Sequence, residues 1–195
     1  MIIGVALFEG AEELDWAGPW EVLAAWSKQW PDDGVRVLTL AREPGTITCA
    51  KGLQVVPEET WESAPPLDVL VYPGGRGTRC ELADEAVLDW IRGLAGGGTV
   101  VASVCTGALL LARAGILEGR PAVTHHAALD DLRDHGVDTR PGERWIDAGD
   151  VLTAGGVTSG LDLALHLLER FRDAEVAGAA ARLLEHQRID RAPVW

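Results

Sequence analysis

Thr99-Val100-Val101-Ala102-Ser103-Val104-Cys105-Thr106-Gly107-Ala108-Leu109-Leu110-Leu111-Ala112 is the stretch whose reading decides the fold. Its first six residues form a β-branched, apolar run of the kind that makes a buried strand, and Ala108 to Ala112 continue as an apolar helix. Only Cys105-Thr106-Gly107 separates the two. A turn that sharp holds its nucleophile at the carboxyl edge of a sheet, above the first turn of a helix. Backbone N–H groups at such a turn favour negative charge. The expectation is therefore a thiolate: a thiol with pKa near 8.5 is about 3% ionised at pH 7, and one lowered to about 5.5 is almost fully ionised.

The same alternation runs outward in both directions. Apolar, strand-like runs occur at Ile2–Phe8, Val35–Leu40 and Leu67–Tyr72, with a short strand or hairpin arm at Leu53–Val56. Helical patterns occupy Leu14–Trp30, Leu82–Ala95 and Ala127–Arg133, then Leu161–Phe171 and Ala174–Glu185. A strand pair is expected at Arg144–Asp147 and Val151–Thr153. Continuous apolar strands separated by helices predict an α/β domain with a mostly parallel sheet covered on both faces. No repeat, linker or low-complexity segment divides residues 1–195, so one domain is expected.

Composition excludes several classes. A net charge of −13, with no basic face to offset it, argues against general nucleic-acid binding and against attraction to anionic membranes. No apolar run approaches the roughly 20 residues that span a bilayer. Met1-Ile2-Ile3-Gly4-Val5 opens directly as a strand, without the pattern of a secretory signal, and three cysteines cannot all pair within the chain. A reducing cytoplasm is the expected setting. Neither a phosphate-cradling glycine loop nor a metal-ligand cluster is present in the sequence, so no cofactor and no metal are expected.

Ligands in open α/β sheets bind at the carboxyl edge, which three polar loops reach here: Glu9–Asp15, Gly74–Arg79 and Cys105–Gly107. Asp15 sits between Leu14, Trp16 and Ala17, surroundings that raise a carboxyl pKa and suit it to pass a proton to a bound small molecule. Glu12 and Glu13 read as a solvated acidic start to a helix. Gly75 either completes a plain turn or presents its N–H toward Cys105 as part of an anion-stabilising pocket. Arg76, Thr78 and Arg79 either line that loop or pair with nearby acids. Thr106 either caps the helix or hydrogen-bonds a substrate. One of His125 and His126 forms a nucleophile–base pair with Cys105, or both are polar packing. Trp16 and Trp20 fall near the expected pocket, and Cys80 reads as structural.

In combination and order these segments resemble the ThiJ/PfpI superfamily, of the class I glutamine amidotransferase-like fold. The residues that carry the likeness are Phe8–Pro19, Tyr72–Gly75, Ala102–Ala108, Thr124-His125 and Ala154–Asp162. The resemblance implies a flavodoxin-like three-layer sandwich with a nucleophile elbow, assembled as a homodimer. Leu14-Asp15-Trp16-Ala17-Gly18-Pro19, Cys105-Thr106-Gly107 and Gly155-Gly156-Val157-Thr158-Ser159-Gly160 look most like the isocyanide hydratase subgroup. That implies a lyase in which Cys105 attacks the terminal carbon of an isocyanide to give a thioimidate. Asp15 acts as acid and base, Thr106 supports, and hydrolysis releases an N-substituted formamide. Gly75, Arg76, Trp16, His125 and His126 are the implied pocket residues. Peptidase-like members carry histidine where Thr106 stands, and glyoxalases or deglycases carry glutamate where Asp15 stands. Related regulators continue into a helix-turn-helix, which is not read in this sequence. The alternatives are a glyoxalase or deglycase acting on small carbonyl compounds, and a cysteine redox sensor without turnover.

Overall fold

The computed structural model of the chain describes residues 1–189. Positions 190–195 of the expected domain lie outside the described residues. The strands, in chain order, are β1 (Ile2–Ala6), β2 (Arg36–Ala41), β3 (Ile47–Thr48), β4 (Gln54–Val55), β5 (Glu59–Thr60), β6 (Val69–Tyr72), β7 (Val100–Val104), β8 (Pro121–Ala122), β9 (Asp138–Thr139), β10 (Trp145–Asp147) and β11 (Val151–Ala154). The helices are α1 (Glu13–Gln29), α2 (Thr78–Glu81), α3 (Glu85–Gly96), α4 (Gly107–Arg113), α5 (Leu129–Asp134), α6 (Ser159–Phe171) and α7 (Ala174–Leu183).

Seven strands form one sheet in the order β10-β11-β7-β6-β1-β2-β5. Every pair is parallel except β10 with β11. Helices α1, α6 and α7 pack on one another over one face, while α2, α3, α4 and α5 group around α4 on the other. This is the expected three-layer sandwich. The central strands lack the polar alternation of a half-exposed sheet because both faces are covered: all of Val69–Tyr72 and Val101–Val104 is buried. From β1 the chain runs outward to β2 and β5, then returns to the other side of β1 through β6. The strand order therefore reverses between β1 and β6, and the crevice outside their carboxyl ends is where such sheets bind ligands.

Three sequence expectations are revised. The helix expected over Leu82–Ala95 begins instead at Glu85, because the Asp84 carboxylate accepts the Ala86 N–H at 3.0 Å and caps it. A short separate helix, α2, precedes it. Ala122-Val123-Thr124, which by residue type reads as a strand before His125, yields only a two-residue strand, β8 (Pro121–Ala122), paired with β9 outside the main sheet. The pair Glu12 and Glu13 is not simply solvated, since Lys51 Nζ lies between them and the Lys51 N–H donates to Glu13 at 2.6 Å.

Candidate active site

The site is built at the reversal point by backbone first. Cys105 ends β7 with φ of 57°, a left-handed conformation that a residue with a Cβ adopts only when its surroundings hold it there. Three hydrogen bonds do so. Its N–H donates to the Gly155 carbonyl at 2.8 Å and the Ala154 carbonyl at 3.1 Å, and its own carbonyl accepts the buried Thr124 hydroxyl at 2.7 Å. Thr124→Val is expected to cost about 1–2 kcal/mol of stability, read by chemical denaturation, because it leaves that carbonyl with only the long contact from the Ala108 N–H at 3.4 Å.

Asp15 reaches the same place from the first turn of α1. The Gly74 carbonyl accepts the Glu12 N–H at 2.9 Å, and the Gly74 N–H donates to Asp15 Oδ2 at 3.0 Å, so α1 and the loop after β6 are stitched together. The carboxyl is fully buried, and its Oδ1 has no hydrogen-bond partner. The Cys105 thiol lies beside the carboxyl, close enough for each to shift the other's titration. Burial pushes Asp15 up to about 7, against the opposing effect of the Cys105 and Gly74 contacts.

The thiol itself departs from the expected thiolate. Cys105 is only 6% exposed, and burial, followed by the charge of Asp15, pushes its pKa up to about 12. The N–H groups of Thr106 and Val157 donate to the sulfur and oppose this, but they do not outweigh desolvation. Asp15 and Cys105 thus titrate as one pair. It loses a first proton near pH 7 and keeps the second far into the alkaline range. Around pH 7 the sulfur is a thiol, while the carboxyl beside it passes between its neutral and charged forms.

Val157 is a second non-glycine residue in the left-handed region, with φ of 35°, and it brings its N–H to the same sulfur. Its turn is anchored by a buried ion pair: Arg144 Nε lies 2.7 Å from Asp162 Oδ2, and Arg144 Nη2 donates to Thr158 Oγ1 at 3.0 Å. Neither Val157 nor Thr124 stands out by residue type. Two glycines before Val157 and the adjacent Thr124-His125 are the only local signals.

Gly75 and Thr106 also lie beside Cys105, in a different relation from the one expected. The Gly75 N–H donates to Thr106 Oγ1 at 3.0 Å, so it is not free to stabilise an anion on a substrate. Thr106 does not hydrogen-bond Asp15; its hydroxyl faces Gly75 and Thr78. Glycine is required at position 75: φ is +130°, and a Cβ would fall 2.4 Å from both the Gly10 carbonyl oxygen and the Glu12 nitrogen. Gly75→Ala is expected to destabilise the fold by about 3 kcal/mol, read as a shift in the denaturation midpoint.

A cavity of about 380 Å³ adjoins these groups, with Gly75, Thr78, Thr106, Leu109 and His125 among its walls. His125 Nδ1 accepts the Ala127 N–H at 3.2 Å, which puts the ring proton on Nε2 when the ring is neutral. Burial, and then the neighbouring His126, hold His125 below the ordinary histidine range, so it is neutral at pH 7. His126 is exposed and lines a neighbouring groove. Two implied pocket residues fall elsewhere. Arg76 is exposed and is not among the residues lining the cavity, where Arg79 stands instead. Trp16 is buried in the core beside Cys49, its indole nitrogen without a hydrogen-bond partner. Among the described residues no group of three or more histidine, cysteine, aspartate or glutamate side chains could hold a metal ion, and no helix is long and apolar enough to cross a membrane.

Residues 1–170, which hold every strand of the sheet and every group at this sulfur, match the DJ-1/PfpI family. The chain belongs to that family. Within the DJ-1/PfpI family it is similar to an isonitrile hydratase of Pseudomonas putida, 38% identical over 184 residues that cover 94% of this chain and 78% of that one. It is also similar to deglycase PH1704 of Pyrococcus horikoshii, 32% identical over 130 residues, or 66% of this chain and 75% of the relative. Among solved structures, a THiJ/PfpI family protein from Pseudomonas syringae superposes with a TM-score of 0.87 at 27% identity, covering all of this chain and 77% of the other.

Proposed function

We propose that the chain is a cofactor-independent isocyanide hydratase in which Cys105 is the nucleophile and Asp15 the acid and base. The observation that carries this reading is the buried Asp15 carboxyl beside Cys105, with Oδ2 held by the Gly74 N–H and Oδ1 without a hydrogen-bond partner. A group with a pKa near neutrality can both take and return a proton at working pH, as the reaction demands. Similarity to an isonitrile hydratase along nearly the whole chain supports the substrate class.

The proposed reaction adds water across the terminal carbon. Asp15 removes the thiol proton as the sulfur electron pair forms a bond to the isocyanide carbon. That carbon then takes the proton from Asp15, giving a thioimidate, R–N=CH–S–Cys105. Water attacks the same carbon and yields a proton to Asp15, which passes it to the nitrogen as the C=N electron pair moves there. The C–S bond then breaks as the carbonyl forms, and the proton lost from the hydroxyl returns through Asp15 to the sulfur. The product is the N-substituted formamide, and no electrons are gained or lost overall. In this scheme Thr106 orders the Gly75 loop beside the sulfur and His125 presents Nε2–H at the cavity wall.

The deciding experiment incubates the protein with a panel of alkyl and aryl isocyanides and, separately, with methylglyoxal. Formamide production, with a mass increase on the Cys105 peptide equal to the isocyanide, is the expected result. Lactate from methylglyoxal without any formamide assigns the site to the carbonyl chemistry of the deglycase relatives instead. Neither product, with oxidation of Cys105 by dilute peroxide, assigns it to redox sensing. A cytoplasmic setting and a homodimeric assembly belong to the same proposal, the latter checked by light scattering.

A further inference from the structure

Arg144 grips the segment beside the nucleophile at both ends. Its carbonyl accepts the Gly155 N–H at 3.0 Å, and its Nη2 donates to Thr158 Oγ1 at 3.0 Å. Between those points lie Gly156 and Val157, the latter with φ of 35°. A β-branched residue in the left-handed region is strained and keeps that conformation only where its surroundings hold it. The guanidinium serves as a fixed point because it is itself fixed. Arg144 is only 6% exposed, and its Nε lies 2.7 Å from Oδ2 of the fully buried Asp162. Asp162 Oδ1 in turn accepts the Ile189 N–H at 3.0 Å and lies 2.8 Å from His186 Nε2, so both carboxylate oxygens are engaged. A planar fork with several donors suits this double engagement, and an ammonium does not.

Both ends of the gripped segment act on Cys105. The residue that Arg144 holds by its N–H, Gly155, holds the nucleophile's main chain by its carbonyl, at 2.8 Å from the Cys105 nitrogen. Toward the other end, Val157 brings its N–H to the sulfur. As the thiol gives its proton to Asp15, negative charge gathers on sulfur, and a donor already aimed at it from a rigid frame stabilises that charge without first having to turn. Release of the Thr158 end lets the strained turn relax and carries the Val157 N–H off the sulfur.

We propose that Arg144 is a positioning residue for the nucleophile: through Thr158 it keeps the Gly155–Thr158 turn in the strained form that presents the Val157 N–H to the Cys105 sulfur. This rests on Cys105 being the nucleophile, as in the hydratase reading, but not on the isocyanide. The test therefore uses iodoacetamide, which forms a carbon–sulfur bond at Cys105 with loss of iodide while Asp15 takes the thiol proton. Thr158→Val keeps the shape and removes the acceptor; Thr158→Ser keeps the acceptor. Arg144→Lys keeps a charge against Asp162 but has no fork to reach Thr158 as well. Each protein is alkylated at pH 8, the Cys105 peptide is followed by mass spectrometry, and a denaturation curve shows that the variant is folded.

Thr158→Val is expected to react about tenfold more slowly than the native protein, the low end of what a hydrogen bond to a charged group contributes. Thr158→Ser is expected to react at close to the native rate. Arg144→Lys is expected to match Thr158→Val, and the two together to lose no more than either alone. If the lysine variant does not fold, the threonine pair decides. The direction of the change separates positioning from simple support of the fold, because a turn that only supported the fold would, when loosened, expose the sulfur and quicken alkylation. Alkylation of Thr158→Val at the native rate or faster, a slowing that serine does not rescue, or additive losses in the double variant would overturn the assignment of Arg144. A protein whose variants behave as expected but which makes no formamide loses the hydratase reading and keeps this one.

Discussion

Cys105→Ala is expected to abolish both the covalent adduct and formamide release, a loss of about 10⁴-fold or more, since no other group in the site can form the bond to carbon. Folding should persist. The hydrogen bonds that hold residue 105 in its left-handed conformation are all made by its backbone, to Ala154, Gly155 and Thr124, and alanine retains them. Far-ultraviolet circular dichroism and a denaturation curve, taken beside the activity assay, separate the two effects. Turnover that survives in the alanine variant would show that the covalent route is wrong.

Asp15→Asn is expected to act in opposite directions on activity and stability. Without a group to exchange the proton, kcat/KM should fall by about 10²–10⁴-fold. The fold, by contrast, gains. Between pH 3.8 and about 7 the folded protein holds a proton on Asp15 that the unfolded chain has already lost. The contribution of this residue therefore falls as pH rises through that window, and above it the fold carries the whole cost of a buried charge. A shift from 3.8 to about 7 sets an upper bound of about 4 kcal/mol on that cost. Asparagine still accepts the Gly74 N–H, so the variant should match the native protein at pH 4 and exceed its stability at pH 8. Equal destabilisation at both pH values would refute this account of the carboxyl. In the native enzyme the same titration predicts kcat/KM rising about tenfold per pH unit below 7 and flat above it. A preformed thiolate of the kind suggested by the turn alone would instead reach its plateau near pH 5.5.

The sheet was legible because burial on both faces leaves a continuous apolar signature, and Val100–Val104 and Val69–Tyr72 carry it plainly. The elbow at Cys105 was legible for the same reason, an apolar strand meeting an apolar helix across three residues. The ionisation of the sulfur was not. The converging loops and the family resemblance brought Asp15 to the sulfur, but local reasoning saw only the turn and not how deeply α1 and the Gly74 loop would bury it, so that desolvation and the Asp15 charge outweigh the N–H groups around it. Trp16 was misplaced for a related reason. It neighbours Asp15 in sequence, but helical geometry turns adjacent side chains to different sides, and Trp16 packs on Cys49 in the core. Thr124 and Val157 lie in segments that carry the family likeness, but they act through a single hydroxyl and a backbone N–H, roles that their residue types do not announce.

The sulfur takes its partners from segments near positions 15, 106 and 157, with 124 and 155 fixing the main chain beneath it. No excised half of the polypeptide contains them all. Reactivity at this atom therefore reports on closure of the entire architecture, and during gentle warming alkylation should quicken while helical content is still intact, because loosening exposes the sulfur and lets its pKa fall back toward the ordinary thiol range. Alkylation kinetics at residue 105 would then serve as a built-in gauge of tertiary order, more sensitive than any average over the backbone.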